Sequence, residues 1–141
     1  MVPAIQTIRH RPVVSCEEAS QARGVALKTE LKTLILQAKW TIVAVHLRAD
    51  HRLQLRRIKK LLRVKNVSFM SPAQLQEHGL AAGLINPWNI AFCSLHVVCL
   101  HTFANDIMTT NNSRLDEGVF FKTEDLFMLP NLIVGFFGHE Q

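Results

Sequence analysis

Apolar residues in this chain gather into short dense runs separated by polar or Gly- and Pro-marked gaps. In Leu31-Lys32-Thr33-Leu34-Ile35-Leu36 both alternating faces are apolar or β-branched, which predicts a strand buried on two sides, with Lys32 as its one cation. Thr41 to Leu47 repeats the pattern after the short gap at Lys39-Trp40, so the two runs predict a hairpin. Leu55, Ile58, Leu61 and Leu62 recur at helical spacing, with Asp50 as the expected cap. Ser15-Cys16-Glu17-Glu18 places a capping hydroxyl before first-turn acids, and Gly24 supplies a stop after Arg23. Ser71-Pro72 opens another helix that should end near His78-Gly79. Short strands are expected at Asn66 to Met70, Phe92 to Phe103, Ile107 to Asn112 and Gly118 to Phe121. Thr123 is read as the cap of a last helix ended by Pro130, after which Leu132-Ile133-Val134 returns as a strand or covers the core. Residues 1–14, with Pro3 and Pro12, read as an extended lead-in. Mixed helices, strands and hairpins place the chain in the α/β or α+β class, as a single domain around a mixed sheet.

Composition narrows this modestly. At 141 residues the chain can bury a core of its own. No window approaches the roughly eighteen apolar residues of a membrane span, and Met1 to Arg11 lacks the apolar run of a secretory signal. Cys16, Cys93 and Cys99 are an odd, sparse set, which favours free thiols in a reducing cytoplasm over a disulfide framework. The net charge of +5 is compatible with a polyanionic partner without requiring one.

Four stretches carry candidate chemistry. A strand-borne lysine such as Lys32 either snorkels to the rim or reaches into a pocket. Between Arg48 and Lys65 lie eight of the sixteen Lys and Arg residues, against one acid. Arg52, Arg56, Arg57, Lys59, Lys60 and Arg63 fall largely outside the apolar stripe, as a solvated face or as a surface that tracks phosphates. No interleaved aromatics accompany them, so base stacking is not indicated. The loop Gly79 to Trp88, with Gly79, Gly83 and Pro87, is either a connector or a bend that presents bare backbone amides to a ligand. Cys93, His96, Cys99 and His101 imitate a zinc motif. On one strand His96 would point away from the other three, and Cys93 and Cys99 would lie about 20 Å apart, so no metal is expected. His46 and His51 read as surface or strand-edge residues, and Asp106, Asp116 and Glu117 receive no acid–base role. Motifs for a serine nucleophile elbow, a Walker loop or a dinucleotide fold are absent.

Taken in order, several segments resemble the YbaK and prolyl-tRNA synthetase-associated editing domain family. Ser15-Cys16-Glu17-Glu18-Ala19 and Ala22-Arg23-Gly24 are similar to its opening helix and "ARG" corner, and Lys32 follows at the spacing of its strand lysine. Leu47-Arg48-Ala49-Asp50-His51-Arg52-Leu53, Ile58-Lys59-Lys60-Leu61-Leu62 and Ser71-Pro72-Ala73-Gln74-Leu75 resemble its turn, basic helix and "SPEEL" segments. Gly83 to Pro87 has its G-x-x-x-P spacing, followed by Trp88. Lys122-Thr123-Glu124-Asp125-Leu126 resembles a late "KTEDY" segment, and counting back puts Asn111 on the Asn of an "FNAG" strand. The family's acid after the loop is missing, since the region reads Cys99-Leu100-His101-Thr102-Phe103. Ser113 stands where the "FNAG" Gly would be, and Ala26 and Glu30 replace a frequent Pro and Gly.

The resemblance implies a strongly curved mixed sheet or partial barrel flanked by helices. It implies a free-standing, cytoplasmic aminoacyl-tRNA deacylase that edits mischarged tRNA in trans without a cofactor or metal. In that reading Lys32 is the catalytic cation beside the ester. Gly83, Leu84, Ile85, Pro87 and Asn111 bind the aminoacyl end, and the basic segment from Arg52 to Arg63 contacts tRNA. The partners implied are the aminoacylated 3′ end of a tRNA and an aminoacyl-tRNA synthetase, with no membrane. The missing acid supports an alternative, a module of the same fold that binds tRNA, a nucleotide or a synthetase without catalysis.

Overall fold

The computed structural model describes residues 2–140. The chain runs through β1 (Gln6–Arg9), α1 (Cys16–Arg23), β2 (Leu31–Ala38), β3 (Thr41–Arg48), β4 (His51–Leu53) and α2 (Leu55–Leu62). It continues through β5 (Val67–Phe69), α3 (Pro72–Glu77), β6 (Leu95–Cys99), β7 (Ile107–Arg114), β8 (Glu117–Lys122), β9 (Leu132–Gly135) and β10 (Gly138–Glu140). Short 3-10 turns cover Leu27–Thr29, Leu100–Ala104 and Thr123–Met128.

A five-stranded sheet in the order β5-β2-β3-β6-β9 forms the frame. The β2–β3 hairpin pairs antiparallel over its full length, Leu31 to Arg48 and Ala38 to Thr41, whereas β6 adds to β3 and β9 to β6 in parallel. A second sheet, β1-β8-β7, is antiparallel, and β10 pairs with β4. The bridge between Glu30 and Thr109 ties the two larger sheets together at the head of β2. The extended lead-in thus carries a strand of its own, β1, registered on β8 from Gln6–Phe120 to Arg9–Glu117.

Alternation along the strands sorts the core. Val43, Val45 and Leu47 of β3 join Leu36, Val97, Cys99 and Phe137 beneath Ile58, the one buried residue of α2. Ala44 and Ile35 face the other way, onto Met70, Leu80, Ile90 and Cys93. A third cluster, with Leu31, Val98, Met108 and Phe121, fills the angle between the sheets. The hairpin is therefore buried on both sides, as its unbroken apolar runs predict.

Four local expectations are corrected. Asp50 does not cap α2. It forms a two-bonded pair with Arg48 (2.9 and 2.6 Å) in the turn to β4, and Gln54 occupies the cap without a side-chain bond. Thr123 is not a cap either: Lys122 precedes the 3-10 turn, and the buried Thr123 hydroxyl has no partner among the described residues. The stretch from Phe92 to Phe103 is a strand only over Leu95–Cys99, where β3 and β9 both pair with it, and Leu100 begins a turn. His46 and His51 are buried, at 0% and 4% exposure, because elements pack over both faces of β3 and β10 covers β4. No helix among the described residues is long and apolar enough to cross a membrane.

Candidate active site

At the head of β2, where β5 no longer pairs with it, a cavity of about 370 Å³ opens. Its walls come from the start of α1 (Cys16, Ala19), from Leu31 to Ile35 of β2, from Phe69 and Met70, from Gly83 and Ile85, and from Asn111 of β7. Lys32, Gly83, Ile85 and Asn111, expected from the sequence as site residues, thus meet around one hollow. Leu84 and Pro87 do not line it: the Leu84 amide donates to the Ala81 carbonyl (3.0 Å), and Pro87 is buried beneath the bend.

Helix α1 is fixed by strictly local means. Ser15 accepts from the Glu18 amide (3.1 Å) while Glu18 reaches back to the Ser15 amide (3.4 Å), a reciprocal cap, and Gly24 closes the helix at φ +68°. This delivers Arg23 into the interior. Its Nη1 bonds to the Glu30 carboxylate, and its Nε donates to His10 Nε2 (3.1 Å). Thr109 donates to the other Glu30 oxygen. Gly118 lies beneath the guanidinium, where a Cβ would overlap it. Burial pushes the Glu30 carboxyl up to about 7 against the pull of Arg23, and burial together with the Glu30 charge pushes the Cys16 thiol up to about 11. Cys16 is therefore a neutral wall group rather than a thiolate nucleophile.

Lys32 is half-buried, and its ammonium donates to the His51 carbonyl. Burial lowers its pKa, while nearby Glu17 and Asp50 favour the charged form. Next to it Thr33 bonds to His46 Nδ1 (2.9 Å), and His46 Nε2 bonds to His96 Nδ1 (2.9 Å), a buried chain running from the cavity wall across β3 to β6. Complete burial and the neighbouring His96 hold His46 well below its ordinary pKa.

The glycine bend is held by amides. Asn86, fully buried, donates to the Asn111 carbonyl (3.2 Å) and to the Ser113 hydroxyl (3.2 Å), and accepts from the Trp88 amide (2.8 Å). Asn89 accepts from the Asn86 amide (2.9 Å) and donates to the Leu84 carbonyl (2.5 Å). Asn111 donates to the Ile85 carbonyl (2.7 Å), so its amide anchors the bend as well as lining the cavity. Ser113 adopts φ +63°, the left-handed conformation that a Gly would take without strain. Its hydroxyl, which also accepts from Asn89 (3.2 Å), gives the substitution a compensating role. Gly83 sits at φ +83°, and a Cβ there would lie 2.9 Å from Leu115 and 3.3 Å from the Val14 carbonyl.

Sequence reasoning missed Arg23, Glu30, Thr33 and Asn86 as parts of this site. Arg23 and Glu30 were visible only as a motif corner and as a departure from the family pattern, and the Asn86-x-x-Asn89 spacing is the one local trace of the amide network. The basic set lies elsewhere. Arg56, Arg57, Lys59 and Lys60 belong to α2, which packs on the sheet face opposite Ile35. Arg52 lies on β4, and Arg63 closes α2 at φ +57°. Arg56, Arg57, Lys60 and Arg63 line a shallow groove with Phe136. Among the described residues no group of three or more His, Cys, Asp or Glu side chains could hold a metal.

Solved structures share the whole architecture. The hypothetical protein APE2540 superposes with a TM-score of 0.85 at 20% identity, over 95% of this chain and 91% of that one. A proposed trans-editing enzyme for prolyl tRNA synthetase superposes at 0.82 with 14% identity, over 95% and 86%. A proposed signal transduction protein of Marinobacter aquaeolei matches at a TM-score of 0.72 and 14% identity, over 97% of this chain and 28% of that larger one. At such identities these likenesses concern the fold, and no curated protein matches the chain. The sequence model of the aminoacyl-tRNA editing domain, however, matches residues 10–127, and the chain belongs to that family.

Proposed function

We propose that this protein is a trans-editing deacylase that hydrolyses the ester of a mischarged tRNA. The observation that carries the reading is the convergence of Lys32, the Gly83–Ile85 bend and Asn111 on one cavity of about 370 Å³ with mainly apolar walls. Synthetase pockets reject smaller or isosteric amino acids weakly, so a second site that hydrolyses the errors is needed. An aminoacyl ester is already reactive, and the catalyst must chiefly orient it, position a water and stabilise the developing oxyanion. Lys32 supplies the positive charge, exchanging the His51 carbonyl for the substrate. The Gly83 and Ile85 backbone, locked by Asn86 and Asn111, orients the aminoacyl group, whose side chain lies against Ile35, Met70 and Leu75. No covalent nucleophile is invoked, consistent with the neutral Cys16 thiol.

The test is deacylation of a panel of mischarged tRNAs by the wild type and by Lys32→Ala. Hydrolysis of at least one by the wild type, lost in the variant, is expected. A variant as active as the wild type would overturn the role of Lys32. A second reading, a binder without catalysis, is favoured by the bond that already occupies the Lys32 ammonium and by the absence of an acid from Cys99 to Phe103. It predicts tRNA binding with no hydrolysis of any member of the panel. Association with a synthetase belongs to either reading.

A further inference from the structure

Beyond the rim of the cavity, the same two strands build a second depression. Phe69 and Met70 wall the cavity, whereas Val67 and Ser68, one step back along β5, line a groove of about 760 Å³ together with Gln37, Ala38 and Lys39 of the hairpin. Its far wall is the exit of α2, with Arg63, Lys65 and Asn66. Three cations therefore face the groove, and no acid lines it. Lys39, Arg63 and Lys65 are all exposed, and none of them enters an ion pair among the described residues. Beside them stands Trp40, 88% exposed at the tip of the hairpin, with the Lys39 ammonium 5.8 Å from its ring centroid. Phe69, 52% exposed, marks the step between groove and cavity. Arg63 holds the left-handed conformation at the helix exit that usually falls to Gly, so a cation is kept there at some backbone cost.

We propose that this groove is the seat of the single-stranded 3′ end of the tRNA, which runs along β5 and turns over Phe69 into the cavity. The assignment rests on the editing reading above for the identity of the partner, though not for catalysis. A single strand needs cations spaced along its backbone and aromatic faces on which bases stack, and the hairpin tip supplies to the groove the aromatic that α2 lacks. Adjacency decides the choice of segment: the groove, on the α2 side of the sheet, and the cavity, on the other side, meet at the edge strand β5, where Ser68 lines the one and Phe69 the other. Duplex RNA has no comparable need of Trp40.

The experiment compares binding of an uncharged acceptor-stem minihelix with that of the same minihelix trimmed of its unpaired 3′ nucleotides. Wild type, Trp40→Ala, the double variant Lys39→Ala/Lys65→Ala and Arg56→Ala/Arg57→Ala are measured across salt concentrations. All five substituted positions are exposed, so folding is checked simply by circular dichroism. The wild type should prefer the untrimmed minihelix. Trp40→Ala should weaken that binding roughly tenfold. The double lysine variant should make the salt dependence shallower by about one to two in log–log slope. Equal wild-type affinity for the trimmed and untrimmed forms would overturn the proposal. So would wild-type behaviour of both groove variants while the α2 variant alone loses affinity. Preference for the 3′ end, lost in the groove variants, supports the groove even if no mischarged tRNA is hydrolysed, an outcome that would sink only the catalytic reading.

Discussion

The cavity and the basic surface hold charges in opposite states. Around the cavity, Arg23 and Glu30 are desolvated, with side chains 2% and 3% exposed, and each is tied to a partner. On α2 and in the groove beside it, Arg56, Lys60, Arg63, Lys39 and Lys65 stand in water. Desolvation makes a charge specific and costly to disturb, whereas exposure makes it adaptable, salt-screened and individually cheap. The first state suits positioning a small ester, the second suits holding a polyanion of variable sequence. Damage at the cavity should therefore appear as lost stability and turnover, and damage at the surface as lost affinity that depends on salt.

The largest effect is expected from Arg23→Ala. Removing the guanidinium leaves Glu30 buried without its cation, which should cost about 3–5 kcal/mol in a denaturant titration. Because Glu30 then takes up a proton more readily, the loss should be smaller at pH 5 than at pH 8. A loss independent of pH would mean that the pair is not what the variant disturbs. Next is Gly83→Ala. With φ at +83° and Leu115 2.9 Å from the new Cβ, a cost of about 1–3 kcal/mol is expected, with a fall in deacylation as the bend shifts. Unchanged stability would show that the bend tolerates a side chain.

A smaller effect, graded with pH, belongs to the buried histidine chain. His46 is held well below its ordinary value of 6.5, so the unfolded chain takes up this proton first as pH falls. Its contribution to stability is intact above 6.5 and decays below it, with a slope approaching about 1.4 kcal/mol per pH unit. The difference between wild-type and His46→Gln unfolding profiles isolates this term from the opposite slope of Glu30, whose folded value is raised. A flat difference between pH 7 and pH 5 would contradict it. Smallest is Arg56→Ala, which should leave stability within about 0.5 kcal/mol while making the salt dependence of tRNA binding shallower by about one. A measurable loss of stability there would erase the contrast between the two regions.

The success of sequence reading follows the same division. Helix ends at Ser15, Gly24 and Ser71-Pro72 were legible because a cap involves residues three or four positions apart. The hairpin was legible because alternation repeats within each strand. Asp50 failed as a cap because its neighbour Arg48 offered two bonds in a turn that feeds a strand rather than the helix. His46 failed as a surface residue because its burial depends on what packs over β3, a matter its own neighbours in sequence do not record. Lys32, Gly83 and Asn111 were reached through the order and spacing of motifs, not through any property that marks each of them alone.

By itself, then, the sequence determined both ends of α1, the start of α3, which faces of the hairpin are apolar, and which family the chain belongs to. Tertiary structure decided that Thr109 closes on Glu30 across 79 residues and that Asn86 locks onto β7 across 25. It also brought the hairpin tip beside the exit of α2, which gives the basic groove its aromatic neighbour. The physical reason is one of range. Capping and alternation are satisfied within a few residues of chain, whereas desolvation, and with it the strength of every charge at the site, depends on which distant segments exclude the water.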